Sequence, residues 1–174
     1  MLLQDAKFNW GFVPDQTKVL AQSVDALDGY GALLQRFEMN SLSKIEQEVM
    51  YLATSRLNTC GYCMAAHTQI AVEAGMTKVD LKAARSGAML SDARLAALQT
   101  MTCAIVSGKG RVPTDAVDTF VAQGFRKEQV FEILIGISAR MLSNFFNEIA
   151  GAPLEPELEP YQWSPPIVAV LAKA

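Results

Sequence analysis

Cys60-Gly61-Tyr62-Cys63 places two thiols at CxxC spacing, and His67 follows four residues after the second. His67 is the only histidine in the chain, and Glu48 stands twelve residues before Cys60. Two thiols so spaced can form a disulfide or bind a metal, and each can alter the other's acidity. An imidazole one helical turn further on can take or give a proton near neutral pH. A carboxylate within reach of the imidazole would extend that relay. A free thiol has a pKa of about 8.5, so a few per cent is thiolate at pH 7. Unpaired N–H groups and the positive dipole end at a helix start stabilise the thiolate. Lowering the pKa to about 6.5 would make thiolate the main form, a differential of roughly 2.7 kcal/mol.

The elements around these residues are helical. Period-2 alternation is nearly absent, alanine is abundant, and no proline occurs between Asp15 and Val112. The expected fold class is all-α, a single domain over residues 1–174. Residues 1–14 read as an extended arm, 42–75 as the core that carries the CxxC, and 151–174 as a Pro-rich tail draped over a surface. A first helix is expected from Asp15 to Phe37, with a kink at Gly29 and Gly31. Ser43-Lys44-Ile45-Glu46 is a capping box that starts a second helix, which ends near Asn58. A third runs from Cys60 to Ala74, closed by Gly75. Further helices are expected from Thr77 to Gly87, from Ser91-Asp92 to Ser107, and from Pro113, at the first helical position, to Gly124. The last, Lys127 to Ile149, is so apolar that it reads as buried on all sides, at the centre or at a subunit interface.

Phase along the third helix brings the chemistry together. With Cys60 at 0°, Cys63 falls at about 300° and His67 at about 340°, beside an apolar stripe of Ile70, Ala71 and Ala74. Tyr62 lies on the opposite side. A lone histidine on an apolar face can be a core residue bonded to a carbonyl; the two thiols beside it favour a reactive role. On the second helix, Ile45, Val49, Leu52 and Ala53 mark the buried face. Glu46 and Gln47 point away, and Glu48 lies at its edge, able to approach the CxxC once Asn58-Thr59 turns the chain back. Arg56 falls inside the apolar face, to pair with a buried carboxylate or to cross a subunit boundary. Cys103, among Met101, Thr102, Ala104 and Ile105, reads as core.

Composition bounds the partners. The 174 residues are 51% hydrophobic and 19% charged, with a net charge of -3 and three cysteines. There is no basic stripe to hold nucleic acid. No apolar run approaches the ~20 residues of a membrane span, and no charged and apolar leader opens the chain. A cytoplasmic, reducing setting is expected, where a CxxC is metal-binding or redox-active rather than structural.

At Glu48, Cys60, Cys63 and His67 the chain resembles the AhpD-like alkylhydroperoxidases of the carboxymuconolactone decarboxylase superfamily. The stretch 42–74 carries most of the likeness. Gly11-Phe12-Val13-Pro14 and Asn144-Phe145-Phe146-Asn147 are similar to segments of its peroxidase-related branch. The resemblance implies an all-helical bundle that forms trimers or hexamers. It implies hydroperoxide reduction through a Cys60–Cys63 disulfide, peroxiredoxin-type activity re-reduced by an external dithiol or a redox partner protein, with no cofactor and no metal. It assigns Cys63 as the thiol that becomes sulfenic acid and Cys60 as proton donor and resolving thiol, whereas dipole reasoning alone favours Cys60 as the more acidic. Where that family carries a histidine inside the CxxC, this chain has Tyr62, so the relay is either shorter or uses the phenol. Two other readings of the same residues are a zinc-binding module and a redox-sensing oligomer with little turnover.

Overall fold

The structure is a computed structural model and describes residues 13–166; most of the expected N-terminal arm and the end of the tail lie outside them. The described chain is all-helical. Its elements are α1 (Asp15–Leu20), α2 (Val24–Glu38), α3 (Lys44–Leu57), α4 (Gly61–Glu73), α5 (Lys78–Ser86), α6 (Ala93–Gly108), α7 (Ala116–Ala122) and α8 (Gln129–Ala150), then a 3₁₀ turn (Pro156–Tyr161).

α3 is the axis of the bundle. It packs on α4, α6 and α8, and every residue from Glu46 to Ser55 is buried. Its start is fixed locally. Ser43 Oγ accepts from the Glu46 N–H, and Glu46 Oε2 accepts from the Ser43 N–H at 2.7 Å. Glu46 and Gln47 do not point to solvent as their phase suggests. Glu46 Oε1 accepts from Arg94 Nε of α6 at 2.7 Å. Gln47 Nε2 donates to the Phe37 and Glu38 carbonyls at 3.3 and 3.2 Å, which ties the end of α2 to α3. The face opposite the apolar stripe is thus buried too, under neighbouring helices whose polar groups it satisfies.

Two boundaries differ from those expected. The break in the first helix falls at Ala21–Ser23, not at the glycines. Ser23 caps α2 by accepting from the Ala26 N–H at 3.2 Å. Gly29 and Gly31 then run on inside α2, whose packing against α8 overrides their poor propensity. Pro113 precedes α7 by a turn, its carbonyl accepting from the Ala116 N–H at 3.0 Å.

The last helix is also not buried all round. Phe131, Phe145 and Ile149 are 69%, 51% and 85% exposed. The buried side of α8 carries Ile133, Gly136, Ile137 and Ala139 in its first half and Arg140, Ser143, Asn144 and Asn147 in its second. Polar residues hold the inward positions there, and this displaces apolar ones outward.

Candidate active site

α4 begins at Cys60, which is its N-cap: Cys60 Sγ accepts from the Cys63 N–H at 3.4 Å. The first thiol therefore occupies the position where a serine or aspartate usually caps, and the second lies one turn inside. α3 and α4 are joined by Asn58 and Thr59, and Thr59 adopts a φ of 58° that reverses the chain. This turn lays α4 along α3 and brings Glu48 against His67.

The pair is close and enclosed. His67 Nδ1 lies 2.7 Å from Glu48 Oε2. Glu48 is 0% exposed and His67 is buried. Burial raises the Glu48 carboxyl, but the His67 ring, Lys44 and Arg140 outweigh it and hold Glu48 below its ordinary range. Burial, and then the charge of Arg140, hold His67 below its ordinary value against the pull of Glu48. At neutral pH the ring is accordingly neutral, with Nδ1–H donating to Glu48 and Nε2 left as a proton acceptor. The second Glu48 oxygen, Oε1, lies 3.2 Å from Lys44 Nζ. Glu48 is thus a fully buried partner of His67, not the boundary carboxylate its phase suggests.

α8 supplies the other wall. Asn147 Nδ2 donates to Cys63 Sγ at 3.2 Å and reaches Cys60 Sγ at 3.9 Å, so one amide contacts both sulfurs. Ser143 Oγ lies 3.9 Å from Cys63 Sγ. Asn144 is held by Asn58, whose Nδ2 donates to its Oδ1 at 2.8 Å, and it donates to Ser55 Oγ. One turn earlier, Arg140 is 2% exposed. Its guanidinium carbon sits 4.2 Å from the centroid of the Tyr51 ring, and the same ring contacts His67 at 4.6 Å between centroids.

These surroundings separate the two thiols. Burial raises the Cys63 thiol, but a hydrogen bond from the Cys60 thiol, the charge of Arg140, the nearby His67 ring and the Asn144 amide more than offset it; Cys63 lies well below its usual range. Cys60, hydrogen-bonded to Cys63 and partly desolvated, lies far above. The shorter Asn147 contact and the Arg140 charge favour Cys63 as the more acidic of the two. The dipole argument from sequence points the other way, because it counts distance from the helix start and not the α8 side chains.

Residues 22–102 match the family model described as the carboxymuconolactone decarboxylase family. The match covers 81 of the 174 residues, just under half of the chain. No curated protein matches the sequence. Among solved structures, the fold is similar to an AhpD-core, uncharacterized peroxidase-related protein from Ralstonia eutropha JMP134, with TM-score 0.82 and 22% identity, covering 90% of this chain and 84% of that one. A peroxidase-related protein from Silicibacter sp. TM1040 is similar at TM-score 0.76 and 19% identity, covering 90% and 84%. The debrominase Bmp8, solved as a cysteine-to-alanine variant in complex with 2,3,4-tribromopyrrole, is similar at TM-score 0.77 and 15% identity, covering 91% and 86%.

The decarboxylase-family segment contains Glu48, Cys60, Cys63 and His67, and ends before α8. Sequence reasoning gives no site role to Arg140, Ser143, Asn144 or Asn147. Their i, i+3, i+4, i+7 spacing is the signal that could have found them: a polar stripe through an otherwise apolar helix. Tyr62 turns away from the sulfurs, and its hydroxyl donates to Glu155 Oε1 at 2.8 Å. The phenol is therefore tied to the tail and is not part of a proton path at the dithiol. The tail covers its own chain: Leu154, Leu158 and Tyr161 pack on Tyr62, Ala65 and Ala66 of α4.

Arg56 meets no carboxylate within 4 Å among the described residues; its Nη2 points to Cys103 Sγ at 3.7 Å, and Cys103 is only half-buried. Nor, among the described residues, is any group of three His, Cys, Asp or Glu side chains placed to hold one metal ion.

Proposed function

We propose that this protein is a thiol-dependent hydroperoxide reductase of the AhpD-like type. The observation that carries the reading is the pairing of a buried, acidified Cys63 with a donor thiol, Cys60, beside an enclosed Glu48–His67 pair. The Cys63 thiolate attacks the outer oxygen of a small hydroperoxide. The O–O bond breaks, Cys63 becomes sulfenic acid, and the departing alkoxide takes the Cys60 proton to leave as alcohol. The Cys60 thiolate then attacks the sulfenic sulfur. The hydroxide expelled takes a proton, delivered by way of His67, and leaves as water with the Cys60–Cys63 disulfide formed. An external dithiol supplies the two electrons that restore both thiols. No cofactor or metal enters this cycle, and the chain works as a homo-oligomer in a reducing compartment.

Support comes from the likeness in fold to peroxidase-related proteins and from the family segment that holds all four residues. The test is consumption of cumene hydroperoxide with excess dithiothreitol. Wild type turns over many equivalents, and Cys63→Ser loses at least about a hundredfold, as expected when the nucleophile is removed. Undiminished consumption by Cys63→Ser would remove the proposal. Oxidation that stops after one equivalent per chain would assign the same disulfide to redox sensing.

A further inference from the structure

Among the described residues, Asn147 is the side chain whose amide reaches both sulfurs. Its Nδ2 lies 3.2 Å from Cys63 Sγ and 3.9 Å from Cys60 Sγ, and the residue is 6% exposed. The other end of the amide is unanswered. Oδ1 is buried and has no hydrogen-bond partner among the described residues. A buried carbonyl left without a donor costs stability, and an apolar side chain would fill the same place without that cost. The contacts this amide does make are with the two sulfurs.

Its neighbours on α8 are arranged differently. Asn144 uses both ends of its amide: Oδ1 accepts from Asn58 Nδ2 at 2.8 Å, and Nδ2 donates to Ser55 Oγ at 3.3 Å. Asn144 therefore joins α8 to the end of α3. Ser143 Oγ lies 3.9 Å from Cys63 Sγ, but its hydrogen goes to the Arg140 carbonyl at 3.1 Å, so toward the sulfur it can only accept. Asn147 is free to donate. A second donor comes from α4 itself, where the Cys63 N–H meets Cys60 Sγ at 3.4 Å.

Such donors do not serve the two redox states of the dithiol equally. A thiolate is a charged acceptor, and hydrogen bonds to charged groups are about twice as strong as neutral ones. A disulfide sulfur has no charge and accepts weakly. When the Cys60–Cys63 bond forms, Asn147 Nδ2 loses most of its interaction, and the sulfurs are its only acceptors among the described residues. The amide thus stabilises the reduced pair relative to the oxidised one. A disulfide whose reduced form is stabilised is the stronger oxidant.

We infer that Asn147 sets the redox poise of the Cys60–Cys63 couple: by donating to the reduced sulfurs it raises the reduction potential and so favours return of the disulfide to the dithiol. The inference rests on the couple of the proposed reductase. Its test uses no peroxide, so a protein that forms the disulfide but does not turn over peroxide would remove that reading and leave this one standing.

The experiment equilibrates the full chain at neutral pH in glutathione buffers of graded ratio. One glutathione disulfide takes the two electrons and two protons of the dithiol to become two glutathione molecules, and the Cys60–Cys63 bond forms. Acid quenching, alkylation and peptide mass spectrometry then give the oxidised fraction at Cys60 and Cys63. Asn147→Leu removes the donor and keeps the bulk. Its equilibrium constant for oxidation is expected to rise about tenfold, a fall of about 30 mV in the potential. Asn147→Asp, of the same shape, replaces the donor by a carboxylate and is expected to move the same way by at least as much. Asn147→Gln keeps an N–H on a longer arm and is expected to recover part of the shift. A merely structural role would weaken both redox states alike and cancel in this ratio. An unmoved constant in Asn147→Leu, or a shift of opposite sign in Asn147→Asp, overturns the inference. If Asn147→Leu does not fold, Asn147→Asp decides alone: an unmoved or falling constant overturns the inference. Wild type that forms no Cys60–Cys63 disulfide in these buffers overturns it as well.

Discussion

His67 can shuttle a proton because its two ring nitrogens have different surroundings. Nδ1 is committed to Glu48 and Nε2 is not. Enclosure has a consequence for stability that can be measured. The folded ring resists protonation below its ordinary value of 6.5, whereas the unfolded ring does not. As pH falls through 6.5 the unfolded state binds a proton that the folded state refuses, so stability is lost in that direction. Wild type is expected to lose Tm between about pH 7 and 5 faster than His67→Gln, which cannot titrate. Parallel slopes by differential scanning calorimetry would contradict this. Glu48, held low, adds its own loss further into acid, as its carboxylate is protonated. At this scale the four residue types and their spacing were legible in sequence. The acidity of the two sulfurs was not, because it is set by Asn147, Asn144 and Arg140, which lie some eighty residues away.

Local signals placed most helix ends. Ser43, Thr77 and Asp92 each accept the N–H three residues on, and Gly75, Gly87, Gly124 and Gly151 all sit at positive φ just past a helix. They misled where two neighbouring glycines looked like a break, because a packed helix tolerates what an isolated one does not. The reverse case is Gly136. A Cβ there would collide with Met50 Cε and with the Phe37 ring, at 2.5 Å from its Cε2. This absence of a side chain lets α8 lie close on α2 and α3, and it sets the depth at which Asn147 reaches the dithiol. Gly136→Ala is expected to cost about 1–3 kcal/mol through overpacking, a fall of about 2–4 °C in Tm per kcal/mol for a chain of this size. Met50 is flexible enough to yield, but Phe37, fully buried, is not. A thermal scan showing an unchanged Tm would show that the helices can separate freely.

Among the described residues nothing covers one side of α8, where Phe131, Leu134, Phe145 and Ile149 are exposed in a row. Apolar faces of this kind on a 22-residue helix are commonly covered by another subunit. Under the proposed oligomeric state, Phe145→Glu is expected to shift the protein to a lower mass in sedimentation at micromolar concentration, with helicity retained. An unchanged mass would move the interface elsewhere. A shallow groove of about 420 Å³ on α5, between Lys78, Lys82, Arg85 and Trp163, shares no residue with the dithiol site. The Arg85 side chain there is occupied in holding the tail, donating to the backbone carbonyls of Tyr161 and Gln162 at 3.0 and 2.8 Å.

What the sequence determined by itself was whatever depends on near neighbours in the chain. It set an all-helical bundle, the caps of α3 through α6, and a helix that opens on a CxxC with His67 one turn beyond, because capping, periodicity and i, i+4 placement act over a single turn. The tertiary structure decided three further things. It made α3 and not α8 the buried axis, because the polar residues of α8 had to face the sulfurs. It tied Tyr62 to the tail through Glu155, away from the dithiol. It also set Asn147 Nδ2 nearer to Cys63 than to Cys60, which favours Cys63 as the more acidic thiol. That choice depends on a buried charge and an amide carried by a helix remote in sequence, and electrostatics across a packed interior follows distance in space, not position along the chain.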